Sequence, residues 1–243
     1  MKAKELFDVI GGKIAQHYSE LGFKYTKTWG AKKQTKKYRY CISFESFSGN
    51  TKNKISLSVI LSISFIPFDE TLLHFNLWNL GYHYEVGESH SINQAYEDIK
   101  EHTERLLIPY IDIFENNTSK YKDTWIKKGL TSHISSNYKY SLFGTDFDYT
   151  THSHYWTGTD FLDKYNQFGF NISLPYLAEI FSMQDAEKCL NNYYQSLNEK
   201  SQKLFLKACQ MQEIGEPWGI DYKELPDVGK VYFMVENGLK III

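Results

Sequence analysis

Between Ile55 and Phe65 the chain alternates. Ile55, Leu57, Val59, Leu61, Ile63 and Phe65 share one parity, and Ser56, Ser58, Ser62 and Ser64 share the other. Successive strand side chains point to opposite faces, so this spacing predicts a β-strand with one dry and one mostly polar face. Such a strand belongs in an antiparallel sheet covered on one side. Pro67 ends it. Residues 37–47 alternate in the same way, with Tyr38, Tyr40, Ile42 and Phe44 on one face, and Gly49 and Asn50 then mark a turn. Residues 23–29 are short and β-rich. Residues 72–86 read as a further strand, bulged near Gly81.

A period of 3.6 replaces the period of 2 elsewhere. Leu6, Ile10, Ile14, Tyr18 and Leu21 predict a helix over 3–21, closed by Gly22. Gly11 and Gly12 fall inside it, where each costs roughly 1 kcal/mol relative to Ala, and they admit close packing by a neighbour. Ser91 with Gln94 forms a capping-box pattern ahead of Ile92, Tyr96, Ile99, Leu106, Leu107, Tyr110, Ile111 and Phe114. Pro109 kinks or splits this long helix. A shorter helix follows over 119–129. Further on, Thr159 caps a short helix, Pro175 opens a helical turn, and 183–214 read as one broken or two consecutive helices. The stretch VYFMV-ENG-LKIII reads as a hairpin about Asn237-Gly238.

These elements predict an α+β fold: an antiparallel sheet of about four or more strands with flanking helices, plus a mixed, helix-rich C-terminal half. Residues 1–118 form an α-β-β-β-β-α unit. Residues 119–243 form a mixed helical and β region, either separate or packed with the first as a single domain.

Composition narrows the class. The chain has 243 residues, 42% hydrophobic and 23% charged, enough to build a core without staples. Aromatics reach 16%, led by 19 Tyr, which suit half-buried sheets and interfaces. Cys41, Cys189 and Cys209 are few and far apart, with no CxxC, so a disulfide framework is not expected. The N-terminus lacks the apolar run of a signal peptide. No apolar stretch is long enough for a membrane helix. A soluble cytoplasmic protein is expected. Residues 1–54 carry 12 Lys/Arg against 4 Asp/Glu, although the whole chain has a net charge of −2. Such asymmetry can mark an anion-facing surface.

The run SELGFKYTKTWGAKK, the FESFS strand and the ISLSVILSISF strand resemble the opening of uncharacterised bacterial domain-of-unknown-function families. The shared pattern is a helix, LGF, a basic-aromatic hairpin and an antiparallel meander, over residues 5–114. The resemblance brings no catalytic residues. Some small α+β bacterial proteins of this style resemble toxin-neutralising immunity proteins, which act by binding.

Three clusters could carry chemistry. In DFDYTTHSH, residues 146–154, Asp146, Asp148, His152 and His154 share one strand face. His152 and His154, about 6.5–7 Å apart along a strand, form a workable half-site for a divalent transition metal. Asp146 is too far along an extended chain to join them, and His83, His133 or Glu85 would have to supply a third ligand. The plainer reading is the wet face of a strand. The basic segment Lys32, Lys33, Lys36, Lys37 and Arg39 could bind phosphates, with Trp29, Tyr38 and Tyr40 as stacking surfaces. The plainer reading is a solvated hairpin tip between two strands. Glu85, Glu88 and His90 could perform acid–base work, or serve as loop polarity. Asp98, Glu101, His102, Glu104 and Arg105 read as a solvated helix face.

No GxSxG, GxGxxG, HExxH or EF-hand loop occurs, and no catalytic residue is assigned. The favoured reading is a non-catalytic macromolecule-binding protein, immunity-like or regulatory, with another protein as partner and no cofactor. The alternatives are a metal-dependent hydrolase using His152 and His154, and a nucleic-acid binder through residues 32–39.

Overall fold

The computed structural model describes residues 2–28, 30–51, 54–78, 82–87, 91–128, 173–220 and 228–242. They fall into two compact units, divided between Thr118 and Ser119.

The first unit opens with α1 (Ala3–His17), which buries Leu6, Ile10 and Ile14 completely. A 3₁₀ turn, Ser19–Leu21, follows, and Gly22 ends it in the left-handed conformation at φ 90°. The two mid-helix glycines differ. A Cβ on Gly11 would stand 2.8 Å from the Tyr25 ring and 3.2 Å from Phe44, whereas one on Gly12 would meet nothing within 4 Å. Tyr25 is also held by its hydroxyl, which donates to Asp8. Gly12→Ala should therefore raise stability by up to about 1 kcal/mol through helix propensity alone. Gly11→Ala should be the less stable of the two, because it pushes on the Tyr25 ring. Urea denaturation of both variants checks the order.

Among the described residues, six strands form one antiparallel sheet: β1 (Lys24–Thr26), β2 (Gly30–Gln34), β3 (Tyr38–Ser46), β4 (Lys54–Phe65), β5 (Glu70–Asn76) and β6 (Tyr84–Gly87). The order is β1-β2-β3-β4-β5, with β6 also on β4. The alternating segment is β4, whose 12 residues are long enough to serve two neighbours on one side. Lys54–Leu57 pair with β6, and Ile60–Phe65 pair with β5. The single strand expected over 72–86 is thus two strands. The stretch expected as a loop between strands contains β2, which ends in a tight hairpin to β3 where Thr35 Oγ1 accepts from Tyr38 N at 2.9 Å. Gly30 starts β2 at φ 70°, and any Cβ there would lie 2.3 Å from the Ile42 carbonyl oxygen, so only glycine fits.

The dry face of the sheet is covered by α1 and by α2 (Ile92–Leu106) and α3 (Ile108–Asn116). Ser91 caps α2 by accepting from Gln94 N at 3.1 Å, as its spacing predicts. Pro109, in the first turn of α3, splits the expected long helix in two. Ring contacts tie the layers together: Phe7 to Phe44 at 5.9 Å, and Phe114 to Tyr38 at 5.6 Å.

The regular elements among the second unit's described residues are helices: α4 (Thr118–Lys128), α5 (Leu174–Ile180), α6 (Met183–Ser196), α7 (Glu199–Glu213) and α8 (Val228–Glu236). Ser173, Ser182 and Asn198 cap α5, α6 and α7 through their side chains. The expected C-terminal hairpin is instead the helix α8. Val231 and Met234 are buried while Tyr232 is exposed, a helical rather than an alternating pattern. Asn237-Gly238 ends this helix in a Schellman motif: Gly238 N donates to Val235 O and Leu239 N to Met234 O, with Gly238 at φ 60°. A positive φ at glycine serves a hairpin turn and a helix end equally, which is why the dipeptide misleads. Among the described residues no helix is long and apolar enough to cross a membrane.

Candidate functional site

His152, His154, Asp146, Asp148 and His133 lie outside the described residues, as do Glu88, His90 and Trp29. Among the described residues no group of three His, Cys, Asp or Glu side chains is placed to hold a metal. Glu85 belongs to β6 itself. Its carboxylate accepts from Ser56 Oγ at 3.3 Å and pairs with Lys54 Nζ at 2.8 Å.

The basic segment does not form one face. Lys32 lies opposite Cys41 and Lys33 opposite Tyr40, so the two lysines leave opposite sides of the sheet. Lys33 turns toward the helices. There it pairs with Glu115 at 2.9 Å and lies 5.5 Å from the Tyr40 ring centroid. Arg39 pairs with Asp69 at 3.0 Å, Lys36 is exposed and Lys37 half-buried. Tyr38 and Tyr40 are core residues at 5% and 0% exposure, so neither ring offers a base-stacking surface.

The polar face of the sheet carries what the charge pattern did not point to. Parity along β3 puts Arg39, Cys41, Ser43 and Glu45 on this face, and the next position of that parity is Phe47. Along β5 it carries His74 and Asn76, and the next such position is Trp78. The Phe47 and Trp78 rings meet at 4.2 Å, and the exposed His83 stands edge-on to Trp78 at 4.0 Å. Phe47 and Trp78 are both half-buried.

Short-range hydrogen bonds fix these rings. The Asn50 side chain brackets Ser56, with Ser56 N donating to Oδ1 at 2.8 Å and Nδ2 donating to Ser56 O at 3.0 Å. Asn50 N also donates to Phe47 O at 3.2 Å, closing the turn after β3. On the other side, Asn76 Oδ1 accepts from Trp78 N at 3.0 Å and from Ser58 Oγ at 3.0 Å. An Asx-type turn therefore aims the tryptophan. The signal for this cluster was present in the sequence, as an aromatic residue on the polar parity at the end of each of two strands.

A second cluster joins α2 to β6. Tyr84 Oη lies 2.7 Å from His102 Nδ1, the Tyr82 and His102 rings are 3.9 Å apart, and Arg105 donates to Tyr82 Oη at 2.8 Å. The expected solvated face of α2 thus loses His102 and Arg105 to the tyrosines of β6 and the residues before it. Burial first, then the Arg105 charge, holds the His102 imidazole below its ordinary value, against the opposing pull of Glu101 and Asp98.

The sign of the pH effect follows. An unfolded chain binds a proton near pH 6.5 that folded His102 resists, so stability is fully present above that pH and is lost as pH falls through it. His102→Gln should flatten the loss between about pH 7.5 and 5.5. Urea midpoints at the two pH values measure it.

Cys41, Cys189 and Cys209 are all free and buried. Burial pushes the thiols of Cys189 and Cys209 up to about 12, and that of Cys41 upward in spite of Arg39 and Lys32. None of the three is an activated nucleophile. Compared with protein-family models, curated proteins and solved structures, the chain matches none.

Proposed function

We propose that this is a non-catalytic macromolecule-binding protein, immunity-like or regulatory in type, whose partner is another protein. The observation that carries the reading is the Phe47–Trp78–His83 cluster, set on the polar face of a sheet whose other face is sealed by helices. Half-buried aromatic rings held in place by their own backbone turns give contact area at little conformational cost, and Trp is enriched among binding hot spots. Glu45 and the Lys54–Glu85 ion pair share the face with these rings, so the rings rather than net charge select the partner, which presents aliphatic side chains. The division of the basic segment between two faces weighs against nucleic acid as the partner.

Site-specific photo-crosslinking in the native host tests this. A crosslinking residue at position 83 should trap a discrete protein adduct that disappears when Trp78→Ala is added. The same probe at the exposed Tyr232 of α8 should not trap that adduct. No adduct from position 83, or equal adducts from both positions, would remove the reading.

A further inference from the structure

The second unit contains a side-chain ladder that reads peptide main chain. Glu187 and Asn191 stand four residues apart on α6, hence on one helix face. Past the Schellman motif of α8, Lys240 N donates to Glu187 Oε1 at 3.2 Å. Asn191 Nδ2 donates to Lys240 O at 3.1 Å, and Ile242 N donates to Asn191 Oδ1 at 2.7 Å. The N–H and C=O of one residue and the N–H of the second residue after it are the groups that a strand turns to one side. Two side chains therefore satisfy a stretch of strand edge, and no side chain of residues 239–242 takes part in these three bonds.

Two features make this more than a tether. Asn191 is 7% exposed, and its Nδ2 is also bonded to Glu187 O at 2.9 Å within α6, so the amide is fixed before any segment arrives. With the segment away, that amide would keep its bond to Glu187 O and turn one donor and its acceptor toward the vacated groove. The segment itself is seated shallowly: Lys240 is exposed, Leu239 and Ile241 are half-buried, and Ile242 is 71% exposed. It is held by main-chain hydrogen bonds rather than by burial, which suits exchange for another chain of the same geometry.

We propose that Glu187 and Asn191 form a peptide-binding site for an extended aliphatic segment of a partner polypeptide, filled in cis by residues 239–242 and opened when that segment is displaced. The site lies in the second unit and does not depend on the aromatic cluster of the first. The cis segment competes at an effective concentration of about millimolar, so the intact chain binds such a peptide weakly, reduced by the small fraction in which the site is open.

The test uses the full chain and a blocked synthetic peptide, Leu-Lys-Ile-Ile, with the sequence of residues 239–242. Ile242→Pro removes the donor that the cis segment offers to Asn191 and leaves the ladder intact. By fluorescence anisotropy the peptide should bind the Ile242→Pro chain at least about tenfold tighter than the unaltered chain, as removal of the competing cis segment requires. Asn191→Leu added to Ile242→Pro should abolish binding. Because Asn191 is buried and its replacement could unfold the unit, a second peptide N-methylated at the position of Ile242 carries the decision. It should bind the same Ile242→Pro chain about tenfold more weakly, the loss expected for a hydrogen bond to a buried amide. Equal binding of the two peptides, or no binding of either to a folded Ile242→Pro chain, would overturn the proposal.

Discussion

Trp125→Ala is expected to lower the stability of the second unit by about 3–5 kcal/mol, the range for removing a large aromatic side chain from a packed core. Trp125 is 1% exposed. It stacks on Tyr121 at 5.8 Å, meets Tyr176 edge-on at 6.1 Å and lies 6.2 Å from Phe181. The rings come from α4, from α5 and from the residue after α5, so the side chain is shared by helices distant in sequence. The backbone around it is also engaged, since Cys189 Sγ donates to Trp125 O at 3.7 Å and Asn192 Nδ2 to Ile126 O at 2.5 Å. Those bonds hold α4 against α6 and limit how far the helices can collapse into the vacated space. Poor collapse places the cost toward the upper end of the range. Trp125→Phe should lose less, because it keeps a ring for Tyr121 to stack on. Urea denaturation followed by far-ultraviolet circular dichroism measures both. A loss below about 1 kcal/mol for the alanine variant would mean that Trp125 is not central to this core.

Trp78→Ala is expected to weaken partner binding by about 2 kcal/mol or more, roughly thirtyfold, while changing the melting temperature little. The separation of the two effects rests on position. Trp78 follows β5 and lies half-buried on the polar face, whereas the core of the first unit is formed by Leu61, Ile63, Phe65, Leu73 and Phe75 on the opposite face. Phe47→Ala should weaken binding in the same direction, since the two rings are 4.2 Å apart and support each other. The double variant should lose less than the sum of the two single losses, as expected for residues in contact. Titration calorimetry with the crosslinked partner, once purified, gives the three values.

The sheet was legible because one strand announced both its faces. The alternation of aliphatic residues and serines in β4 showed that one face would be covered, and α1, α2 and α3 cover it. Helix ends were legible where the signal was local: Ser91 with Gln94, Pro109 and Gly22 each act within a turn. What the local signals could not show was which of two structures a short segment would join. Gly30–Gln34 is rich in lysine and glutamine and resembles a loop, yet the space beside β3 makes it a strand. Val228–Glu236 is rich in β-branched and aromatic residues, yet its burial pattern belongs to a helix end packed by Met234 against Cys209 at 3.6 Å. Tertiary context overrides propensity in both. The candidate site was half legible. Phe47 and Trp78 stand on polar parities that the sequence displays, but their meeting depends on β3 and β5 flanking β4, which only the register fixes. His102 and Arg105 carried no signal at all, because charge on a helix face says nothing about which tyrosines will cover it.

The most direct measurement on the central claim is hydroxyl-radical footprinting of the first unit's aromatic cluster, with and without the bound partner. Oxidation of Phe47, Trp78 and His83 should fall several-fold in the complex, while that of the exposed Tyr232 on α8 should stay as it is in the free protein. Unchanged oxidation of Trp78 in a saturated complex would contradict the account and move the interface off the polar face of the sheet.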